Sequence, residues 1–550
     1  MVKKKILSAM AAAFVAVQLL GTTVITAQAS TITGAVSTDN FIRGVDVSTL
    51  DMLEDLGAHY YEKNQESDAM TILHNNGANY VRLKLWVDPY DENGNPYGGG
   101  NNDYDTTLKL AKRAKKLGMK ILIDFHLSDF WADPANQIKP KAWKNLSYSE
   151  LKQTLYSYMK TSLNDFAAEG IVPDMVQVGN EISSGILHED GKIGTNEDFS
   201  GLAGLLESAI SGVRASAASS TKIMLHLDQG GKNQLYTWYF GGLLKESPNL
   251  DFDVFGLSYY PMWHGTMEGL QYNLNYLATT YNKEVCVVET AYAWTTEDGE
   301  GNVFISGDEE VGGYPATVEG QFEFMNDLES IILNVPDDKG IGYFYWEPEW
   351  IPVEGGTYAT SAGVAYKNDT VTPSNTWDNM TLFNFQGNAL DSIKVLNKPC
   401  ENLLTNISFE QNGITTSPSG WNVWTSDSSD ENTVRTEYGD AYDGDYKLTF
   451  WDDKEYSCSV YKTYTNIPNG TYKFSIWAKT NGKQDVLQLY AKNYGGSELD
   501  TTIETSDINW NIFSIDKIVV TNHTLEIGVY SVAGANDWCN LDLAMLRKID

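Results

Sequence analysis

Between about residues 41 and 347 the chain repeats one pattern eight times, a short apolar or β-branched run followed by a longer helical or loop stretch. The runs are Phe41–Val47, Tyr80–Val87, Lys120–Phe125, Met175–Val178, Lys222–Leu227, Val254–Ser258, Glu284–Val288 and Ile341–Tyr345. Several are apolar almost throughout, so both their faces must be buried, as in a parallel sheet covered by helices. Helical candidates lie between them. Asp105–Leu117 has apolar spacing over two turns, a basic end and then Gly118, the residue type that stops a helix. Tyr148–Ala168 and Phe199–Ala215 have the same character. Strands and helices alternating in this way predict an α/β fold, a closed (β/α)8 TIM barrel rather than an open doubly wound sheet. No GxGxxG follows the first strand, which disfavours dinucleotide binding.

Beyond about residue 400 the helical period fades. Alternating stretches such as Tyr472-Lys473-Phe474-Ser475-Ile476-Trp477 are separated by Asn, Gly, Ser and Thr turns, the texture of an all-β sandwich. Asn397-Lys398-Pro399-Cys400 reads as the linker. At the other end, Lys3, Lys4 and Lys5 precede an uncharged apolar run, and Ala27-Gln28-Ala29 has the small-x-small pattern of a signal-peptidase site. The run is short for a bilayer span. The expected organisation is a signal peptide at 1–29, a barrel at 30–399 and a sandwich at 400–550, in a secreted, extracellular protein without membrane association.

The formal charge is -34, and loss of residues 1–29, with three lysines and no acid, takes it to -37. Such a chain repels phosphate backbones and anionic lipids, which excludes nucleic acid as a partner. Four cysteines in 550 residues make no disulfide scaffold, although one bridge, such as Cys458–Cys539, stays open. No CxxC or HExxH spacing indicates zinc.

The chemistry lies at strand ends, where barrel enzymes keep it. The fourth run ends Val178-Gly179-Asn180-Glu181 and the seventh Val287-Val288-Glu289-Thr290. Two carboxyls meeting there are the equipment of glycoside hydrolysis, one a protonated acid and the other an ionised nucleophile or base. Asn180 is placed to hydrogen-bond a sugar hydroxyl.

From about residue 41 to 395 the sequence resembles glycoside hydrolase family 53, the endo-β-1,4-galactanases. The resemblance rests on Gly44-Val45-Asp46-Val47-Ser48, Arg82-Leu83-Lys84-Leu85-Trp86 and Asp124-Phe125-His126-Leu127-Ser128-Asp129-Phe130-Trp131-Ala132-Asp133-Pro134. It continues through Gln177-Val178-Gly179-Asn180-Glu181, Gly256-Leu257-Ser258-Tyr259-Tyr260-Pro261, Val288-Glu289-Thr290-Ala291-Tyr292 and Tyr345-Trp346-Glu347-Pro348. The resemblance implies that Glu181 is the general acid/base and Glu289 the nucleophile of a retaining double displacement. Arg82 is then expected to pair with Glu289 and keep it ionised, and Tyr259 to hydrogen-bond the nucleophile. His126, Asp129 and His226 are expected to line sugar subsites, Trp346 to form the floor under the cleaved sugar, and Trp86 and Trp131 to shape outer subsites.

Calcium is the one cofactor expected. Asp298-Gly299-Glu300-Gly301-Asn302 alternates oxygen ligands with glycines, a loop suited to a hard cation. Bacterial members of the family hold calcium between this loop and a segment matching Asn375-Thr376-Trp377-Asp378, although this chain lacks a histidine of that pattern, with Asn302 or Val303 near its place. The region opening Asn402–Glu410, with Gly420-Trp421 and a close at Asp537–Asp542, resembles galactose-binding-like modules, carbohydrate-binding module family 61 first among them. That resemblance implies a second calcium at Glu410 and Asp542. Among the aromatic residues after residue 400, Trp424, Trp451 and Trp538, with Tyr456, are the candidates for a stacking platform. The expected partner is β-1,4-galactan of type I arabinogalactan, and the expected state a monomer. The rival readings are another barrel endo-glycosidase, a β-1,4-glucanase or mannanase, and a non-catalytic polysaccharide-binding protein.

Overall fold

The computed structural model describes residues 40–194, 196–300, 305, 313–368, 370, 372–397, 402–426, 432–504 and 509–548. The expected signal peptide, Asn302 and the 398–400 part of the linker lie outside them. The chain forms two compact units, one reaching Leu403 and the other spanning Leu404–Leu546.

In the first unit eight parallel strands close into a barrel: β1 (Ile42–Asp46), β2 (Tyr80–Leu85), β3 (Lys120–Phe125), β4 (Met175–Val178), β5 (Lys222–Leu227), β6 (Val254–Ser258), β7 (Glu284–Thr290) and β8 (Gly340–Trp346). Neighbours follow chain order, and β8 closes on β1 with Val45 opposite Tyr345. One main helix follows each of the first seven strands: α1 (Ala69–Asn75), α2 (Tyr104–Leu117), α3 (Tyr148–Ala168), α4 (Ser200–Arg214), α5 (Asn233–Glu246), α6 (Met267–Tyr281) and α7 (Val318–Leu333). Their ends follow local chemistry. Asp103 caps α2 by accepting from Thr106 N, and Gly118 closes it at φ 80°, a backbone angle that costs other residues a clash. Ser147 and Glu150 form a capping box at the start of α3.

Side chains alternate across each strand, so every second residue points into the barrel. The inner floor is apolar: Ile42, Tyr80, Leu122, Met175, Met224, Val254, Cys286, Val288 and Phe344. Gly44 leaves the room that Phe344 fills, since a Cβ there would overlap the Phe344 ring. A larger apolar layer lies between the strands and the helices, with Val45, Val81, Ile123, Val176, Leu225 and Phe255 facing Leu110, Leu155 and Leu206.

The second unit is a sandwich of two five-stranded antiparallel sheets. Its strands are β9 (Asn422–Thr425), β10 (Val434–Tyr438), β11 (Tyr446–Trp451), β12 (Tyr456–Tyr464), β13 (Gly470–Thr480), β14 (Val486–Lys492), β15 (Leu499–Thr502), β16 (Asn511–Val520), β17 (Leu525–Ala533) and β18 (Trp538–Lys548). The sheet orders are β9-β12-β17-β14-β15 and β10-β11-β18-β13-β16. Phe450, Val460, Phe474, Ile476, Leu489, Val529 and Leu541 belong to the core between them. Cys458 and Cys539 are buried in that core as free thiols, as is Cys286 in the barrel. No described helix is long and apolar enough to cross a membrane.

Candidate active site

One layer above the apolar floor, the inward positions become polar: Asp46, Arg82, Asp124, Gln177 and His226, all fully buried. Arg82 is the hub. Its Nη1 donates to Asp46 Oδ2 and pairs with Glu289 Oε1, both at 2.8 Å. Its Nη2 donates to Asp124 Oδ2 and Asn180 Oδ1 at 2.8 Å, and its Nε to Gln177 Oε1 at 3.2 Å. An always-charged guanidinium with a planar fork suits this many acceptors, and a lysine would not. The expected pairing of Arg82 with Glu289 is therefore present.

Glu289 reaches the layer through an irregularity. Leu257 pairs with Val287 but Ser258 with Glu289, and β8 shows the same slip between Val287 and Thr290. The extra residue is Val288, whose side chain stays in the apolar floor. This bulge brings Glu289 level with Ser258, as bulges beside active sites do. Tyr260 OH donates to Glu289 Oε2 at 3.3 Å. Burial pushes the Glu289 carboxyl up, and the Arg82 charge opposes that push.

Glu181 follows β4 after a turn in which Gly179 (φ 80°) and Glu181 itself (φ 46°) are left-handed. A non-glycine residue there is uncommon and is held by its surroundings. Ser258 Oγ donates to Glu181 Oε1 at 2.7 Å. Its one hydrogen thus spent, Ser258 accepts from His226 Nε2–H (2.8 Å), which leaves His226 Nδ1 to accept from Gln177 Nε2 (3.1 Å) and the Glu181 backbone N (3.4 Å). Burial and then the Arg82 charge hold His226 well below its usual value, so it is neutral, as this chain requires. Burial lifts the Glu181 carboxyl well above the ordinary range, and the charges of Glu289 and Asp228 add to the lift.

Several expected subsite residues lie elsewhere. His226 is wholly buried and braces Glu181 from behind rather than lining a subsite. Asp129 is buried against Lys141, accepting from its backbone N at 2.7 Å and pairing with its Nζ at 3.2 Å. His126, nearly as buried, pairs with Asp124 Oδ2 at 3.0 Å and accepts from Ala132 N at 3.2 Å. Trp86 is a core residue, edge-on to Phe130 and Trp131. Tyr259 does not hold the nucleophile with its side chain: its OH donates to Gly265 O at 3.1 Å, and only its backbone N reaches Glu289 O. The next residue, Tyr260, makes that contact, because the strand ends at Ser258 and the face of the chain changes. Asn180 Nδ2 donates to Ala132 O at 2.9 Å.

Trp346 and Trp131 are half-buried, their ring centroids 6.0 Å apart, and Trp350 stacks on Trp131 at 6.5 Å. Beneath them lies a cation that the sequence reading did not single out. Lys84 Nζ sits 4.2 Å from the Trp131 ring centroid and pairs with Glu347 Oε1 at 2.5 Å. The alternation Arg82, Lys84 on one inward strand face was its only sequence signal.

Of the expected calcium ligands, Asp378 is buried with Oδ1 lacking a hydrogen-bond partner, while its Oδ2 accepts from Gly299 N at 3.1 Å. Burial, then repulsion from Asp298 and Glu300, pushes the Asp378 carboxyl up to about 7. An orphaned buried carboxylate beside two further acids suits a hard cation. Asn375 does not offer its side-chain oxygen, which accepts from Trp377 N at 2.8 Å. No group of three or more His, Cys, Asp or Glu side chains able to hold a metal forms among the described residues. In the sandwich, Glu410 Oε1 accepts from Asp445 N and Tyr446 N, and Asp542 Oδ2 from Tyr442 N and Asp443 N. The two acids thus hold one turn from both sides, and Asp443 between them raises both carboxyls after burial does. Asp443-Gly444-Asp445 was the sequence signal for this third acid.

The expected stacking platform is not one surface. Trp424 lies on β9 with its ring 6.3 Å from Tyr530, whereas Trp451 and Trp538 face each other across β11 and β18 in the other sheet. Tyr456 is buried in the core.

The sequence model of glycosyl hydrolase family 53 matches residues 42–396. An endo-β-1,4-galactanase of Bacillus subtilis (strain 168) is 39% identical over 379 residues, 65% of this chain and 85% of that protein. An arabinogalactan endo-β-1,4-galactanase A of Aspergillus niger is 38% identical over 315 residues, 56% of this chain and 85% of that one. Among solved structures, the GH53 catalytic domain of Ignisphaera aggregans is 41% identical with a TM-score of 0.61, covering 66% of this chain and 98% of its own.

Proposed function

The chain belongs to glycosyl hydrolase family 53, and from that premise we propose that it is a secreted, retaining endo-β-1,4-galactanase acting on the galactan of type I arabinogalactan. The observation that carries the reading is the unequal setting of its two glutamates. Glu289 faces a guanidinium and a phenol; Glu181 accepts from a serine hydroxyl while neighbouring negative charge resists its ionisation. The first setting suits an anionic nucleophile and the second a protonated acid.

In the proposed reaction a Glu289 carboxylate oxygen attacks C1 of the bound galactose as the Glu181 proton passes to the departing glycosidic oxygen. Glu181, now ionised, takes a proton from water, whose oxygen displaces Glu289 from C1. Arg82 anchors the nucleophile through both steps, and Asn180 donates to a sugar hydroxyl beside it. Trp346 and Trp131 form the apolar floor on which sugar C–H faces lie.

Calcium is proposed as a structural ion beside Asp378, whose buried Oδ1 lacks a partner, near Asp298 and Glu300, and beside Glu410 and Asp542 near Asp443; since no three of these side chains close on one point, backbone carbonyls and water would complete each shell. The sandwich is proposed as a galactan-binding module; its antiparallel fold and the exposed Trp424 beside Tyr530 support this. A polysaccharide panel of galactan, glucan, mannan and xylan with product sizing tests the whole reading. Internal cleavage of galactan alone is the expected result. Cleavage of glucan or mannan in its place, or no cleavage of any, would overturn it.

A further inference from the structure

The top of the barrel is asymmetric about the two glutamates. Trp346 ends β8, Trp350 follows it and Trp131 follows β3; Trp131 and Trp346 lie over Lys84 on β2, and Trp350 stacks on Trp131. The opposite half, after β4 to β6, holds Glu181 and two exposed indoles: Trp238 on α5, which donates to Glu197 Oε1 at 3.1 Å, and, in the loop after β6, Trp263 with 44% of its surface open. Exposed tryptophans occur singly on many surfaces and mean little alone. Trp263 is held in place. Pro261 presets the turn in which Trp263 N donates to Tyr260 O at 3.0 Å. His264 N donates to the same oxygen at 2.9 Å, and Gly231 N, from the β5 loop, donates to His264 O at 2.9 Å. The Trp263 ring packs edge-on to Tyr260 at 5.7 Å, and Tyr260 is the residue whose hydroxyl reaches Glu289. A rigid, water-facing indole therefore stands one side chain away from the nucleophile, on the half of the barrel that carries the acid.

Geometry then assigns it. With the sugar under attack lying over the Trp346 floor, the sugar that leaves must extend past the carboxyl that protonates it, toward β4 to β6. We propose that Trp263 is the platform for the leaving galactose unit, and for the acceptor sugar when a sugar rather than water intercepts the glycosyl-enzyme. In that transfer the acceptor hydroxyl oxygen bonds to C1 as the C1–Glu289 bond breaks, and the hydroxyl proton goes to Glu181. The proposal rests on the galactanase reading and adds to it the residue that selects what stands on the far side of the cleaved bond. Binding energy from a group outside the reacting centre is realised in the transition state, so its loss lowers turnover as well as affinity.

The test compares Trp263→Ala with the parent protein on soluble galactan and on β-galactobiosyl fluoride, whose leaving group is an ion with no sugar to seat. Loss of the stacking contact is expected to lower kcat/KM on galactan by about tenfold. Turnover of the fluoride should stay within about twofold of the parent, because the bond-breaking step there needs no leaving-sugar contact. With galactobiose added as acceptor, the ratio of transfer to hydrolysis should fall, and Trp263→Phe should recover most of both losses. Equal losses on galactan and fluoride, or undiminished galactan cleavage, would overturn the assignment. A parent inert on galactan yet active on the fluoride would overturn the substrate reading, and the proposal with it.

Discussion

Arg82 touches Asp46, Asp124, Gln177, Asn180 and Glu289, so one buried side chain sets the position and charge of much of the site. Its pairing with Glu289 was expected from the family resemblance carried by Arg82-Leu83-Lys84-Leu85-Trp86 and Val288-Glu289-Thr290. The brace behind Glu181 was not, since His226 and Ser258 come from strands remote in sequence. Glu289→Ala should fold normally and lose about 10³-fold or more in kcat on galactan, because two carboxyls acting as a unit lose nearly everything together. Near-parental turnover would reject Glu289 as nucleophile. Asp228 gives a subtler test. Its charge is one of those keeping Glu181 protonated, so Asp228→Asn should let Glu181 ionise more easily. The alkaline limb of the kcat/KM profile should then move to lower pH. A limb that stays put, or moves upward, would remove Asp228 from the account.

The eight barrel strands and the three helices delimited from sequence were read to within a residue or two, because buried parallel strands and amphipathic helices announce themselves by composition and period. Where the period breaks, sequence was a poor guide. Strict alternation along β7, with Cys286 and Val288 inward, would turn Glu289 away from the barrel axis; the bulge at Val288 restores it. The end of β6 misled in the same manner, and Tyr260 took the contact expected of Tyr259. Helix ends are more regular. Ser147 accepts from Glu150 N while Glu150 reaches back to Ser147 N at 2.9 Å. Ser147→Ala should therefore cost about 1 kcal/mol of stability, read in chemical denaturation, with galactan turnover unchanged. A neutral substitution would mean that water replaces the cap.

The two units have separate apolar cores. Deleting residues 404–550 should leave hydrolysis of short galacto-oligosaccharides intact and weaken retention on insoluble galactan; loss of oligosaccharide cleavage would contradict independent modules. If calcium fills the proposed acid clusters, chelation should lower Tm by about 5 °C, as loss of a tightly held ligand does, and calcium but not magnesium should restore it. An unchanged Tm would dismiss both sites. Local pattern was enough to establish the strand–helix alternation, the change to a β-sandwich and the two glutamates at strand ends, since each is written in neighbouring residues. The sequence reading did not tell which histidines, tryptophans and tyrosines are buried. Trp86, His226 and Asp129 are as polar or aromatic as the half-buried Trp131 and Trp346, and only barrel closure buries them. Whether a side chain meets solvent or another strand depends on curvature and register summed around eight strands, and no short stretch of sequence contains that sum.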